Sequence, residues 1–80
     1  MANSPLLEAG DAAAFFDDLQ ARGSAILGID AFIRKDDTIV PSLDLLIDCS
    51  ADSPAKAKRR CKEFIAEAGE GILFEIWFVD

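Results

Sequence analysis

Carboxylates are the most abundant groups in this chain that could do chemistry. Fifteen Asp and Glu stand against eight Lys and Arg, and there is no His and no Tyr. Without His, the commonest general base and the commonest zinc ligand are both missing. Two adjacent carboxylate pairs, Asp17-Asp18 and Asp36-Asp37, lie outside any calcium-loop pattern, which needs a Gly and a distal Glu at fixed offsets. The first pair reads as exposed helix and the second as turn chemistry. Asp44 and Asp48 point the same way from one strand. At 3.3 Å per residue they stand roughly 13 Å apart, too far to share one metal ion. No His is available to activate Cys49, Cys61, Ser24, Ser42, Ser50 or Ser53 as a nucleophile. Gly69-Glu70-Gly71 reads as a helix exit, and a phosphate-cradling loop is not expected. The chain is therefore expected to have no catalytic residues, no metal and no cofactor, and to bind rather than to catalyse.

Eighty residues make one domain, residues 1–80, and a composition 51% hydrophobic and 29% charged is that of a globular chain. Ala12, Phe15, Phe16 and Leu19 recur at the spacing of one helical face, so a helix is expected at about 11–22, capped by Asp11 and stopped by Gly23. Ser24 to Arg34 and Ile39 to Cys49 are β-prone runs around the polar link 35–38, and they read as a hairpin. Pro41 cannot donate to a ladder, which places the second run at a sheet edge. Ser53-Pro54 opens a second helix with an N-cap and a Pro in its first turn. Its apolar stripe is Ala57, Cys61, Phe64, Ile65 and Ala68. A last strand is expected from Ile72 to Val79.

The resulting order α-β-β-α-β predicts an α+β two-layer sandwich with a three-stranded antiparallel sheet. Right-handed crossover sets the strand order at 2-1-3, with both helices on one face. Period-two alternation then sorts the strand residues. Leu27, Ile29, Ala31, Ile33, Leu43, Leu45, Ile47, Ile72, Phe74, Ile76 and Phe78 fall under the helices. Ile26, Asp30, Phe32, Arg34, Asp44, Leu46, Asp48, Leu73, Glu75, Trp77 and Val79 fall on the open face. Apolar side chains rimmed by acids on an uncovered sheet face read as an interaction surface. Asp30, Phe32, Asp44, Leu46, Asp48, Glu75 and Trp77 are its candidate contacts. The acids would select a basic protein partner and speed its encounter.

Charge is unevenly spread. Residues 52–69 carry +2 through the dense run Lys56 to Lys62, and the rest of the chain carries −9, together the net −7. The negative remainder argues against direct nucleic-acid binding, and the basic run reads as a solvated helix face. With no signal-peptide pattern and no long apolar segment, no membrane association is expected and the location expected is cytoplasmic. Cys61 should sit about 10 Å along its helix from the helix start, so that a bridge to Cys49 would be strained. Two reduced structural thiols are expected.

The stretch Leu27-Gly28-Ile29-Asp30-Ala31-Phe32, followed by Pro41-Ser42-Leu43-Asp44, resembles small acidic bacterial immunity proteins over about a quarter of the chain. That resemblance implies an inhibitor of a basic toxin, often a nuclease, with Asp30, Asp44, Asp48 and Glu75 as contacts. Nucleic-acid mimics that inhibit DNA-binding machinery share these features. The alternative is a homodimeric assembly or regulatory module, joined through the open face or through the outer edge of the third strand, an edge expected to be unpaired.

Overall fold

The computed structural model describes residues 1–80, with Leu43 described by its backbone alone. The chain runs β1 (Ala2–Asn3), α1 (Ala9–Ala21), β2 (Ala25–Lys35), β3 (Thr38–Asp48), α2 (Pro54–Glu67) and β4 (Ile72–Val79). It is an α+β fold in which two helices cover one face of an antiparallel sheet. No helix among the described residues is long and apolar enough to cross a membrane.

The expected three strands lie in the expected order, β2 between β3 and β4, and both neighbours run antiparallel to it. The sheet is nevertheless larger than the three strands predicted. β1 pairs with the outer edge of β4, giving the order β1-β4-β2-β3, and Leu7 adds a one-residue bridge to Phe74. With that bridge as a fifth strand, the sheet forms a half-barrel. Between these contacts Ser4 takes over the ladder. Its backbone N–H donates to the Ile76 carbonyl, and its buried hydroxyl accepts from the Ile76 N–H at 2.9 Å. The edge of β4 expected to be unpaired is therefore covered by residues 2–7. Residues 2–7 gave no strand signal, because a two-residue strand and a single bridge are too short to show alternation.

Local chemistry explains the element ends. Helix α1 begins earlier than expected, with Glu8 at the N-cap position and Asp11 in the first turn, where a carboxylate suits the positive end of the helix. Helix α2 starts as predicted. Ser53 accepts from the Lys56 N–H at 3.2 Å, and Pro54 fills the first turn. The β2–β3 hairpin turns through Asp36 and Asp37, with Asp36 in the left-handed region at φ 52°, a conformation Asp tolerates. Pro41 lies on an edge strand, as its missing donor requires.

The core holds Ala12, Phe16 and Leu19 from α1 and Ala57, Cys61 and Ile65 from α2. Ile26, Ile29 and Ala31 of β2 and Phe74, Ile76 and Phe78 of β4 complete it, with Cys49. The alternation predicted for β4 holds from Phe74 to Val79; at the start of the strand Leu73, expected on the open face, is buried and Ile72, expected in the core, is half-buried. In β2 it slips once. Ile26 pairs with Phe78, whereas Gly28 pairs with Trp77, so Leu27 is an extra residue between them. Ile26, expected on the open face, is therefore buried, and Leu27, expected in the core, is only half-buried. Leu45, Ile47 and Ile72 pack at the margin of the core, Ile33 is half-buried, and the Leu43 side chain lies outside the described residues.

Candidate functional site

Antiparallel register arranges the uncovered face as three cross-strand rows. Asn3, Trp77, Gly28 and Asp48 form the first, running from β1 across β4 and β2 to β3. Glu75, Asp30 and Leu46 form the second. Leu73, Phe32 and Pro41 form the third. Successive rows lie about 7 Å apart along the strands. Six of the seven predicted contacts, Asp30, Phe32, Leu46, Asp48, Glu75 and Trp77, fall in these rows.

Asp44 does not. Between Asp30 and Phe32 the pairing of β2 jumps from Leu46 to Pro41, so residues 42–45 bulge out of the ladder. Asp44 is exposed within that bulge, at the margin of the face rather than within a row. Val79 pairs with Ala25 at the strand end and is exposed there. Arg34 pairs across β2–β3 with Ile39, outside the acid-bearing rows, and its guanidinium lies 3.7 Å from Glu8.

The centre of the face is a like-charged pair. Asp30 and Glu75 are direct cross-strand partners, a placement that sheets ordinarily avoid. Each carboxylate is held by a neutral donor. The Trp77 indole N–H donates to Asp30 Oδ2 at 3.1 Å, and the Asn3 amide donates to Glu75 Oε2 at 2.6 Å. These bonds fix the carboxylates without neutralising them. Beside them Phe32 and Trp77 are half-buried and Leu46 is 56% exposed. Leu73, by contrast, is only 5% exposed and contributes little accessible surface.

Asp48 has a different task. Its Oδ1 accepts from the Ser50 hydroxyl at 2.7 Å and from the Ser50 N–H at 2.9 Å, closing the turn after β3. These bonds hold its carboxyl below its ordinary pKa, with a smaller contribution from the Arg60 charge. It forms the rim of the face and is already engaged.

Gly28 is the positional requirement that alternation alone did not reveal. A β-carbon there would be driven into the Ile47 carbonyl oxygen of β3. A glycine inside a strand is the available signal for such a close approach. It lets β3 come near at the row that carries Trp77 and Asp48. Asn3 was missed because its strand has only two residues.

The basic run lies on α2, on the covered side of the sheet, where Asp11, Asp17 and Asp18 of α1 also lie. Arg60 pairs with Asp52 at 2.5 Å and Lys62 with Asp17 at 2.8 Å. Among the described residues, Lys56, Lys58 and Arg59 have no ion-pair partner. No group of three or more His, Cys, Asp or Glu that could hold a metal occurs among the described residues. Comparison of the chain with protein families, with curated proteins and with solved structures gives no match.

Proposed function

We propose that this protein binds and neutralises a basic protein partner through the uncovered sheet face, as an immunity protein or inhibitor does for a toxin such as a nuclease. The observation that carries this reading is the Asp30–Glu75 pair. Two carboxylates opposite one another work against the sheet, and each is oriented by a neutral donor instead of a cation. A Lys or Arg from a partner would relieve that repulsion with charge-assisted hydrogen bonds. Phe32, Trp77 and Leu46 would supply the apolar burial around it, and Asp44 and Asp48 the acidic rim. The protein acts in this reading without catalytic chemistry, cofactor or metal, in the cytoplasm of a bacterial cell.

The experiment compares two double variants of equal charge change against a panel of basic nucleases at physiological salt. Asp30→Lys with Glu75→Lys reverses the centre of the face, whereas Asp18→Lys with Glu67→Lys reverses exposed acids on the helices. The face variant is expected to lose at least tenfold in affinity while the helix variant stays within about threefold, equivalent to roughly 1.4 and 0.7 kcal/mol. Equal losses would mean that net charge alone is read, and the face would have no special role. Light scattering of the free protein tests the self-association reading. A monomer in low and high salt leaves the face free, and a salt-resistant dimer whose mass halves in Trp77→Glu would assign the face to a second copy.

A further inference from the structure

The fold brings its two cysteines together where the sequence spacing predicted separation. Cys49 Sγ and Cys61 Sγ lie 3.1 Å apart, both free and both within 1% of complete burial. The expected separation measured Cys61 from the start of α2. The turn 50–53 instead carries the chain out and back, so the second turn of α2 passes over the end of β3. The Asp52 N–H donates to the Cys49 carbonyl at 3.0 Å to make that turn, and the Cys49 N–H donates to the Leu27 carbonyl at 2.8 Å. Both sulfurs are thus mounted on hydrogen-bonded elements. A movement of about 1 Å brings them to disulfide bonding distance.

We infer that Cys49 and Cys61 are an oxidation site at which hydrogen peroxide converts two thiols into an intramolecular disulfide without a change of fold. The chemistry closes in two steps. The Cys49 sulfur, as thiolate, attacks a peroxide oxygen. The O–O bond breaks, and the departing hydroxide takes up the proton that Cys49 released and leaves as water. Cys49 is left as a sulfenic acid. The Cys61 sulfur then attacks the Cys49 sulfur, the S–S bond forms, and the S–OH bond breaks. That hydroxide leaves with the Cys61 proton as a second water. Two thiols lose two electrons in all, and one peroxide is reduced to two waters.

Cys49 is the first nucleophile. Burial pushes both thiols above their ordinary value, Cys61 strongly so, and the contact between the two sulfurs adds to the rise at Cys61 and offsets part of it at Cys49. The Arg60 guanidinium favours the thiolate of either, while the Asp52 carboxylate that anchors it works against both, more strongly than Arg60 at Cys49. The proximity of Cys61 gives the sulfenic acid a faster fate than over-oxidation. The bond would tie α2 to the residue that follows Asp48, on the rim of the proposed binding face. It does not depend on that face having a partner.

The folded chain is treated with hydrogen peroxide, then denatured, alkylated and weighed. The expected product is a monomer about 2 Da lighter that takes up no alkylating agent, yields a Cys49–Cys61 linked peptide, and reverts with dithiothreitol. Its urea midpoint should rise on oxidation and return on reduction. In Cys61→Ala, dimedone should label Cys49 and no mass loss should occur. Wild-type chain that accumulates sulfinic acid, or joins into covalent dimers, overturns the inference. So does folded chain left unoxidised over a period in which the urea-unfolded chain is fully oxidised. These wild-type outcomes decide the matter even if the variant does not fold.

Discussion

The two faces of the sheet are made by the same strands and differ in what each residue is asked to do. On the covered face, Ile29, Ala31, Phe74 and Ile76 are all within 1% of complete burial, between the helices and the strand backbones. Phe64 meets Phe74 edge-to-face, with ring centroids 5.9 Å apart, and Phe15 meets Phe78 at 5.8 Å. On the uncovered face, one residue further along in each case, Asp30, Phe32, Glu75 and Trp77 are half-buried. The first face is chosen for packing alone. The second mixes opposing requirements, apolar contact and charge, that a purely structural surface has no reason to combine at neighbouring positions.

The largest test of that contrast pairs two aromatic truncations on the same strand. Phe74→Ala should destabilise the protein by about 3–5 kcal/mol, since the ring is fully buried and its loss leaves a cavity. Trp77→Ala removes a larger side chain, yet should cost only about 1–2 kcal/mol, because the ring is half-exposed in the free protein. Urea unfolding of both variants measures the difference, and equal losses would erase the distinction between the faces. Phe64→Ala should fall between them, because Phe64 lies at the margin of the core rather than inside it. Gly28→Ala comes next, at about 2–3 kcal/mol, because the added methyl meets a backbone oxygen of β3 that has no rotamer to escape into. A near-neutral Gly28→Ala would show that β3 can shift away, and that the Trp77–Gly28–Asp48 row is loosely set.

Strand and helix identities were legible in the sequence because each carried a period and a punctuation mark. The stripe in α2 lies between Ser53-Pro54 and Gly69, and β4 is one continuous β-prone run. Strand order followed from Pro41 and crossover handedness. What escaped was whatever broke the period. The extra residue at Leu27 moved Ile26 into the core while Ile29, Ala31 and Ile33 kept their predicted face, and a run of Ile and Leu gives no polar marker for such a slip. The bulge at 42–45 displaced Asp44 for a similar reason, since Leu43 and Leu45 read as continued alternation whether or not they are paired. Asp30 and Glu75 keep their predicted face because they lie on β2 beyond the first irregularity and on β4, whose register is unbroken from there. The cysteine contact was lost to a different cause: distance along a helix is not distance from a residue that precedes the turn.

A smaller effect sharpens the functional half of the contrast. Asp30→Asn keeps an acceptor for the Trp77 indole and removes the repulsion from Glu75, so it should be neutral or stabilising by about 0.2–1 kcal/mol. Asp30→Ala also relieves the repulsion but leaves the indole N–H without its partner, so it should be destabilising by about 1 kcal/mol. A stabilised Asn variant that binds a basic partner more weakly would mean that the carboxylate is kept for recognition at the expense of the sheet. If Asp30→Asn instead weakens the fold, the charge itself is structural and the case for the face loses its central observation.

The smallest expected effect separates the rim from the centre. Asp48 is held below its ordinary carboxyl value by Ser50, through the side-chain hydroxyl first and the backbone N–H second. A carboxyl whose folded value is depressed contributes stability that is present above its unfolded value, near 3.9, and is lost as pH falls through the folded value. The contribution is therefore fully present and constant at neutral pH, and its loss is confined to acid conditions. Ser50→Ala removes the larger of the two bonds and leaves the N–H in place, so the Asp48 carboxyl should titrate closer to its ordinary value without reaching it. Carbon-detected NMR titration of that side chain reads the change directly. An unchanged midpoint in Ser50→Ala would mean that the backbone bond alone holds the carboxylate. An ordinary midpoint already in the wild type would mean that Asp48 is free to meet a partner's cation, which would move it from turn-former to full member of the face beside Asp30 and Glu75.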